Sequence, residues 1–329
     1  MTDAKRVLIV GAGTMGGGIS RLLKAERVPG AMVAGIADLD AGKGQPAAAA
    51  VDVPFFDSLE TAIAVVKPDI AYVATPDGAH RGPVEMLAAA GIAMLVEKPL
   101  ATTNEDAQAM VAAVKKSGVY AEVNYSNRWN PPYIEAQRQI AAGEIGDVRS
   151  INVRLNNPIS SPRDRLSWSG QTSSAWFLMS HCLDLAHWLS GRKAQTVYAS
   201  GAKGVLASMG IDTWDWIHAV VRYEGGGDGV FEAAWILPES WPGGVEFNFR
   251  VLGASGAIDV DTTFQNIAVS GKKHTYPGTL AWAPVRWSAF LRAMDGSGAA
   301  RVSFEDGFEA TKILVAIHRS LGSEAVEQV

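Results

Sequence analysis

The chain has 329 residues, 48% hydrophobic and 19% charged, with a formal net charge of -5. That composition suits a globular protein of about two domains with sizeable cores. No basic stripe of the kind nucleic-acid binders use is present, and the apolar runs fall well short of the about 20 residues a membrane span needs. A single cysteine, Cys182, excludes an internal disulfide and a multi-cysteine metal site. Neither nucleic acid, membrane nor metal is therefore expected as a partner. The opening stretch MTDAKRVLIVGAG enters a strand-like run at once, without a leader pattern, so cytoplasmic residence is expected.

Residues 6–10, 31–37, 70–75, 93–97 and 120–125 are short apolar runs, as buried parallel strands require. Helical patterns separate them at 15–24, 58–66, 83–90 and 104–116; in the last, Ala107, Met110, Val111 and Val114 recur at helix spacing. This alternation predicts an α/β domain with a doubly wound parallel sheet. All ten tryptophans lie at or after Trp129, which sets a predicted boundary between domains 1–125 and 126–329. Beyond it, residues 148–156, 195–202, 213–223, 229–237, 245–252, 257–261 and 266–270 read as strands, and 175–189 and 305–321 as helices. An α+β domain with one large, mostly antiparallel sheet is predicted.

The first strand leads into Gly11-Ala12-Gly13-Thr14-Met15-Gly16 and then a helix. That is the dinucleotide fingerprint in its required strand–turn–helix context. The first glycine permits the turn, the second lets a pyrophosphate approach the backbone, and the third lets helix and strand pack closely. Asp38 lies 22 residues past Gly16, at the end of the second strand. A carboxylate there accepts ribose hydroxyls and repels a 2′-phosphate, which favours NAD over NADP. Asp40 is a less suitable alternative, further into the loop.

Ligands of open α/β sheets sit at the carboxyl ends of the strands. Besides the glycines and Asp38, those ends carry Thr75-Pro76-Asp77, Glu97-Lys98-Pro99 and residues 124–128. Lys98 reads either as a surface turn residue or as an amine in a partly dry cleft that orients a hydroxyl and shuttles its proton. In the second domain His181, Asp184 and Trp188 share one helix face at i, i+3 and i+7. His181 has the chemistry to accept an alcohol proton. Asp184 either sets its tautomer or anchors the helix, and His187 reads as structural. Residues 156–176 are polar, begin at Asn156 and contain Trp168 and Trp176; they read as a substrate loop or a solvated connector. Arg163 and Arg165 either clamp an oxyanion or pair with the intervening Asp164. Cys182, inside an apolar helix stretch, does not read as a nucleophile.

Several segments together resemble the Gfo/Idh/MocA family of oxidoreductases: GAGTMG at 11–16, ATPDGAH at 74–80, EKPL at 97–100 and SHCLDLAHWLSG at 180–191. VNYSNRWNP at 123–131, AAGEIGDV at 141–148 and GASGAIDVD at 253–261 fit the same pattern. The resemblance implies a Rossmann domain joined to a second domain with an open-faced sheet. It implies that Lys98 and His181 are catalytic and that Pro99 follows a cis bond. Thr75, Pro76, His80 and Glu97 would line the cofactor region, with Asn124 following the last strand and Arg128 and Trp129 near the nicotinamide or the domain junction. It further implies homodimers or homotetramers formed through the open sheet, whose face the alternation of Trp214, Trp216 and His218 marks as apolar. The expected activity is NAD-dependent hydride transfer at a secondary hydroxyl or ketone of a sugar, polyol or inositol-like substrate, in carbohydrate metabolism. Two alternatives follow from the same likeness: glycoside cleavage through transient oxidation, and a non-catalytic NAD-dependent sensor. One departure stands out. Phe177 and Met179 occupy positions where many members carry Asp and Gly, so Lys98 and His181 would transfer the proton without that carboxylate.

Overall fold

The computed structural model describes residues 4–25, 28–241, 244–261, 266–270, 275–279 and 286–329. The chain forms two compact units, Met1–Tyr125 with Val285–Phe308, and Ser126–Pro284 with Glu309–Val329. It therefore does not divide into two contiguous domains at residue 126, as the tryptophan distribution suggests. Trp287 and Phe290 of the returning segment are buried in the first unit's core, where Trp287 lies 5.6 Å from Tyr72 and Phe290 5.3 Å from Tyr120 between ring centroids. Aromatic burial recruits this distant segment, and Trp287 belongs to a core that local composition assigned no tryptophan.

The first unit runs β1 (Lys5–Val10), α1 (Thr14–Lys24), β2 (Ala31–Ala37), α2 (Ala41–Val51), β3 (Phe55–Phe56), α3 (Leu59–Val66), β4 (Ile70–Val73), α4 (Arg81–Ala89), β5 (Ala93–Val96), α5 (Asn104–Ser117) and β6 (Ala121–Val123). Its six-stranded sheet has the order β3-β2-β1-β4-β5-β6 with every pairing parallel. Strand β4 is buried at every position, which is why its sequence is a continuous apolar run. Helix α5 is bounded by local chemistry: the Thr103 hydroxyl accepts the Asp106 N–H at 3.1 Å, and Gly118 ends it at φ 69°. Two elements escaped the pattern. Helix α2 contains Gly42, Gly44 and Pro46 and rests on the Asp40 cap, whose carboxylate accepts the Gly42 N–H at 2.9 Å. Strand β3 is only two residues long.

The second unit contributes α6 (Pro131–Ala141), β7 (Val148–Pro158), α7 (Ser180–Ser190), β8 (Ala194–Ala202), α8 (Val205–Ser208), β9 (Trp216–Tyr223), β10 (Asp228–Leu237), β11 (Glu246–Gly253), β12 (Ala257–Asp261), β13 (Asn266–Ser270) and β14 (Thr275–Thr279). Helix α9 (Arg286–Met294) follows in the first unit, then α10 (Phe304–Ser323) and β15 (Glu327–Gln328). The nine-stranded sheet has the order β14-β13-β12-β11-β7-β10-β9-β8-β15. It is antiparallel except between β7 and β10. Along β9 burial alternates: Ile217, Ala219 and Val221 face a core shared with α6, α7 and α10. The other face is open and forms a concavity of about 860 Å³. It is mixed rather than apolar. Tyr198, Val220, Val230 and Leu252 share it with the ion pairs Arg250–Asp259 (2.9 Å) and Arg154–Glu246 (3.0 Å) and with the His218–Glu232 contact (3.3 Å). Among the described residues no helix is long and apolar enough to cross a membrane, and no group of three His, Cys, Asp or Glu is placed to hold a metal ion.

Candidate active site

Strand order in the first unit reverses between β1 and β4, and the glycine turn follows one strand while the Thr75 loop follows the other. That reversal is where an open α/β sheet presents its ligand crevice. The three glycines act differently. At Gly11, with φ +95°, a Cβ would lie 2.6 Å from the Ala74 carbonyl oxygen and force the two loops apart. At Gly16 a Cβ would lie 1.8 Å from the Gly11 carbonyl oxygen, so helix α1 could not pack against the turn. Around Gly13 there is open space within 4 Å. Helix α1 begins there at Thr14 and the exposed Met15, with no side-chain cap and no acidic residue in its first turn. Its N–H groups and dipole are left to an anion. Asp38 fixes the neighbouring wall: its Oδ2 accepts the Ala12 N–H at 2.6 Å and its Oδ1 the Asp40 N–H at 2.8 Å. A clear approach at one glycine, an uncapped helix end and an anchored carboxylate fit a dinucleotide.

Lys98 stands directly after β5, half-buried, and its bond to Pro99 is cis, as the family resemblance implies. Buried Glu97 beneath it has several partners. It accepts the Tyr72 hydroxyl and the Asn124 amide (2.6 Å) at Oε1, and the Lys98 backbone N–H (3.3 Å) at Oε2. Asn124 in turn accepts the Arg286 Nε–H at 3.3 Å through its Oδ1. Burial next to the Glu97 carboxylate pushes the Tyr72 phenol well above its ordinary range, so it stays a donor. His80 is buried beneath the loops rather than lining them. Its Nδ1 lies 3.1 Å from the Leu100 carbonyl and its Nε2 3.1 Å from the Thr75 carbonyl, tying the loop after β4 to the segment after Lys98. Thr75 adds a bond from its hydroxyl to the Ala79 carbonyl at 3.1 Å, and Pro76 is exposed.

In the second unit His181 is half-buried at the start of α7, directly after a π-helical turn at Ala175–Met179. Such turns re-aim side chains and recur at functional sites. Phe177 lies in this turn, half-buried, with ring centroids 6.3 Å from Trp168 and 5.9 Å from Trp235. Asp184 anchors rather than serving substrate: its carboxylate engages buried Arg128 through both oxygens, at 2.6 and 3.0 Å, with Trp188 5.6 Å from that guanidinium. Arg128 is thus buried and engaged by Asp184 of the same unit. Trp176 is also interior. It stacks on His318 at 4.5 Å and 13°, and Ser173 joins the pair by a 2.7 Å bond to His318 Nε2. Arg163 pairs with Asp164 (2.7 Å) and Glu239 (2.6 Å). Asn156 lies on the sheet face opposite Leu155, donating to Glu232 at 2.7 Å and Glu246 at 2.9 Å. Of the substrate candidates, half-buried Trp168 and exposed Arg165 keep surface available to a ligand, as does exposed Arg163, whose guanidinium is already paired. His187 Nδ1 lies 3.1 Å from the Arg192 carbonyl, a helix-end contact. Cys182 is buried and burial pushes its thiol up, away from nucleophilic chemistry.

The sequence reading missed Tyr72, Glu122, Ser173, Arg286 and His318. Helix α9 was legible: Trp287, Phe290, Leu291 and Met294 have the spacing i, i+3, i+4 and i+7. What that helix packs against was not.

A parallel sheet with a glycine cradle at its switch point defines a dinucleotide-binding fold. Sequence comparison agrees. Residues 5–125 match the profile described as "Oxidoreductase family, NAD-binding Rossmann fold", and residues 133–259 match the "GFO/IDH/MocA C-terminal domain". The chain belongs to the Gfo/Idh/MocA family. Myo-inositol dehydrogenase Hyg17 of Streptomyces leeuwenhoekii is 29% identical over 269 residues, 78% of this chain and 80% of that protein. The scyllo-inositol 2-dehydrogenase (NAD(+)) of Bacillus subtilis is 27% identical over 197 residues, 59% of this chain and 55% of that one. The fold matches scyllo-inositol dehydrogenase of Lactobacillus casei, solved with NAD(H) and scyllo-inositol, at TM-score 0.83 and 17% identity over 99% of both chains.

Proposed function

We propose that this NAD-dependent oxidoreductase transfers a hydride between a secondary hydroxyl of a sugar, polyol or inositol-like ring and the nicotinamide, with NAD preferred over NADP. The observation that carries the reading is Lys98: a half-buried amine at the carboxyl edge of the same sheet that holds the glycine cradle, its backbone anchored by buried Glu97. In the oxidising direction a secondary alcohol and NAD+ become a ketone, NADH and a proton. NAD supplies the hydride acceptor when bound. Helix α1 and Gly13 receive the pyrophosphate, and Asp38 accepts ribose hydroxyls and disfavours a 2′-phosphate. Lys98 holds the substrate oxygen and takes part in moving its proton, and His181 is the second proton-transfer group. Trp168 and Phe177 offer an aromatic surface for the C–H face of a ring, and the names of the inositol dehydrogenase relatives support a polyhydroxylated substrate. Screening NADH formation over inositols, sugars and uronates tests this; a panel without any turnover would remove the proposal.

The open face of the nine-stranded sheet is the surface for self-association. Its exposed Tyr198, Val220, Val230 and Leu252 form the apolar part, and the ion pairs beside them set register. Sedimentation of Val220→Glu should show a smaller species than the wild type.

A further inference from the structure

Beneath Lys98 lies a buried chain of polar groups that the proposed chemistry does not itself use. Arg286 arrives from helix α9, 162 residues beyond Asn124 in sequence, and its side chain is almost fully buried. Its Nη1 donates to the Glu122 carboxylate, its Nη2 to the Val123 carbonyl at 3.2 Å and its Nε to Asn124 Oδ1 at 3.3 Å. Glu122 also accepts the Tyr120 hydroxyl. From Asn124 the bonds continue to Glu97 and so to the backbone N–H of Lys98.

We propose that Arg286 is a positioning residue for Lys98, acting through the side-chain amide of Asn124. The inference rests on the role assigned to Lys98 above. An amide has one oxygen that accepts and one nitrogen that donates, and the two ends are nearly the same shape. What decides its orientation is the company it keeps. A guanidinium only donates, so the end facing Arg286 is the oxygen. A carboxylate only accepts, so the end facing Glu97 is the nitrogen. Arg286 thereby aims the Asn124 N–H at Glu97 Oε1, while Glu97 Oε2 holds the Lys98 N–H. Arg286, Asn124 and Glu97 are all buried, so water does not substitute freely for a lost bond among them. Without the guanidinium only Glu97 still prefers the productive orientation, the Asn124 oxygen loses its donor, and the amide and the turn that carries the amine are held less firmly. A misplacement of about 1 Å at a reacting group costs on the order of a hundredfold in rate.

Removing Arg286 alone also strands the buried Glu122 carboxylate, so loss of activity in Arg286→Met would conflate folding with positioning. The informative variants are Glu122→Gln/Arg286→Met, which removes both charges, and Asn124→Ala, which cuts the path and leaves the ion pair. Both are measured as purified full-length protein on whichever substrate the wild type turns over. The expected result is thermal stability close to wild type in the double variant, with kcat lowered by about tenfold or more in both. The KM for NAD stays within about threefold in the double variant, because the glycine cradle and Asp38 are untouched. Arg286→Lys recovers only part of kcat, since an ammonium does not span Glu122 and Asn124 together. Wild-type kcat in either folded variant would overturn the assignment. Lys98→Ala run alongside separates the two claims. If it keeps full turnover, the catalytic reading of Lys98 fails, whatever Arg286 does. If it collapses while the double variant behaves as wild type, only the role of Arg286 fails.

Discussion

The two units hold their functional groups by different means. In the first, the cofactor cradle is a matter of backbone sterics at the ends of adjacent parallel strands. Gly11 and Gly16 are required because other main-chain atoms occupy the volume a Cβ would take, and Gly13 leaves a path open. In the second, His181 is held by side chains from far along the chain: Arg128 clamps Asp184 on its helix, and His318 on α10 holds the turn that precedes it. Close backbone packing leaves a motif of fixed spacing. Side-chain clamps leave scattered single residues whose partners lie tens of residues away.

Several substitutions break or sharpen that contrast. The largest effect belongs to the chemistry: Lys98→Ala should lower kcat on the order of a thousandfold while the Kd for NADH, read by fluorescence titration, stays within a few-fold. Next is the clamp in the second unit. Arg128→Met leaves a buried carboxylate uncompensated and should cost about 3–5 kcal/mol in urea denaturation; adding Asp184→Asn should recover much of it. The glycines give the sterically sharpest test. Gly16→Ala should lose roughly 1–3 kcal/mol of stability through overpacking. Gly13→Ala, with open space around it, should fold normally and lose NADH affinity instead. Equal behaviour of the two variants would end the division of labour among these glycines. Asp38→Ala should relax the preference for NAD over NADP, read as the ratio of the two kcat/KM values.

The smallest effect concerns pH. Burial holds His318 below its ordinary value of 6.5, so it is neutral in the folded protein. As the pH falls below that value the unfolded chain takes up the proton first. Stability present above about pH 6.5 is therefore lost on acidification through the depressed folded-state pKa. His318→Gln should flatten the acid side of the Tm–pH curve. An unchanged slope would assign the acid loss to other groups.

Much of the fold and of the candidate cofactor site was legible in the chain itself. Parallel strands covered on both faces write continuous apolar runs, and the glycine fingerprint together with Asp38 is a local arrangement spanning residues 11–38. Lys98 after a buried strand, and His181 on a helix with Asp184 and Trp188 on its face, were equally readable as residue types in place. Their neighbours were not. Asp184 could have served His181 or the helix, and Arg163 could have met a ligand or Asp164; only the packed structure distributes them, to Arg128 and to Asp164 with Glu239. Trp176, a candidate substrate wall by composition, lies within the turn before α7 and stacks inward on His318.

The amino-acid sequence by itself determined what short-range stereochemistry controls: the order of strands and helices, the glycine cradle, the carboxylate at the end of β2 and the cis Lys98–Pro99 turn that the family likeness implied. Tertiary structure decided which distant side chains share a buried volume. The return of Trp287 and Phe290 to the first unit, and with them Arg286 to Asn124, follows from burial of aromatic surface, a non-directional force that leaves no fixed spacing along the chain.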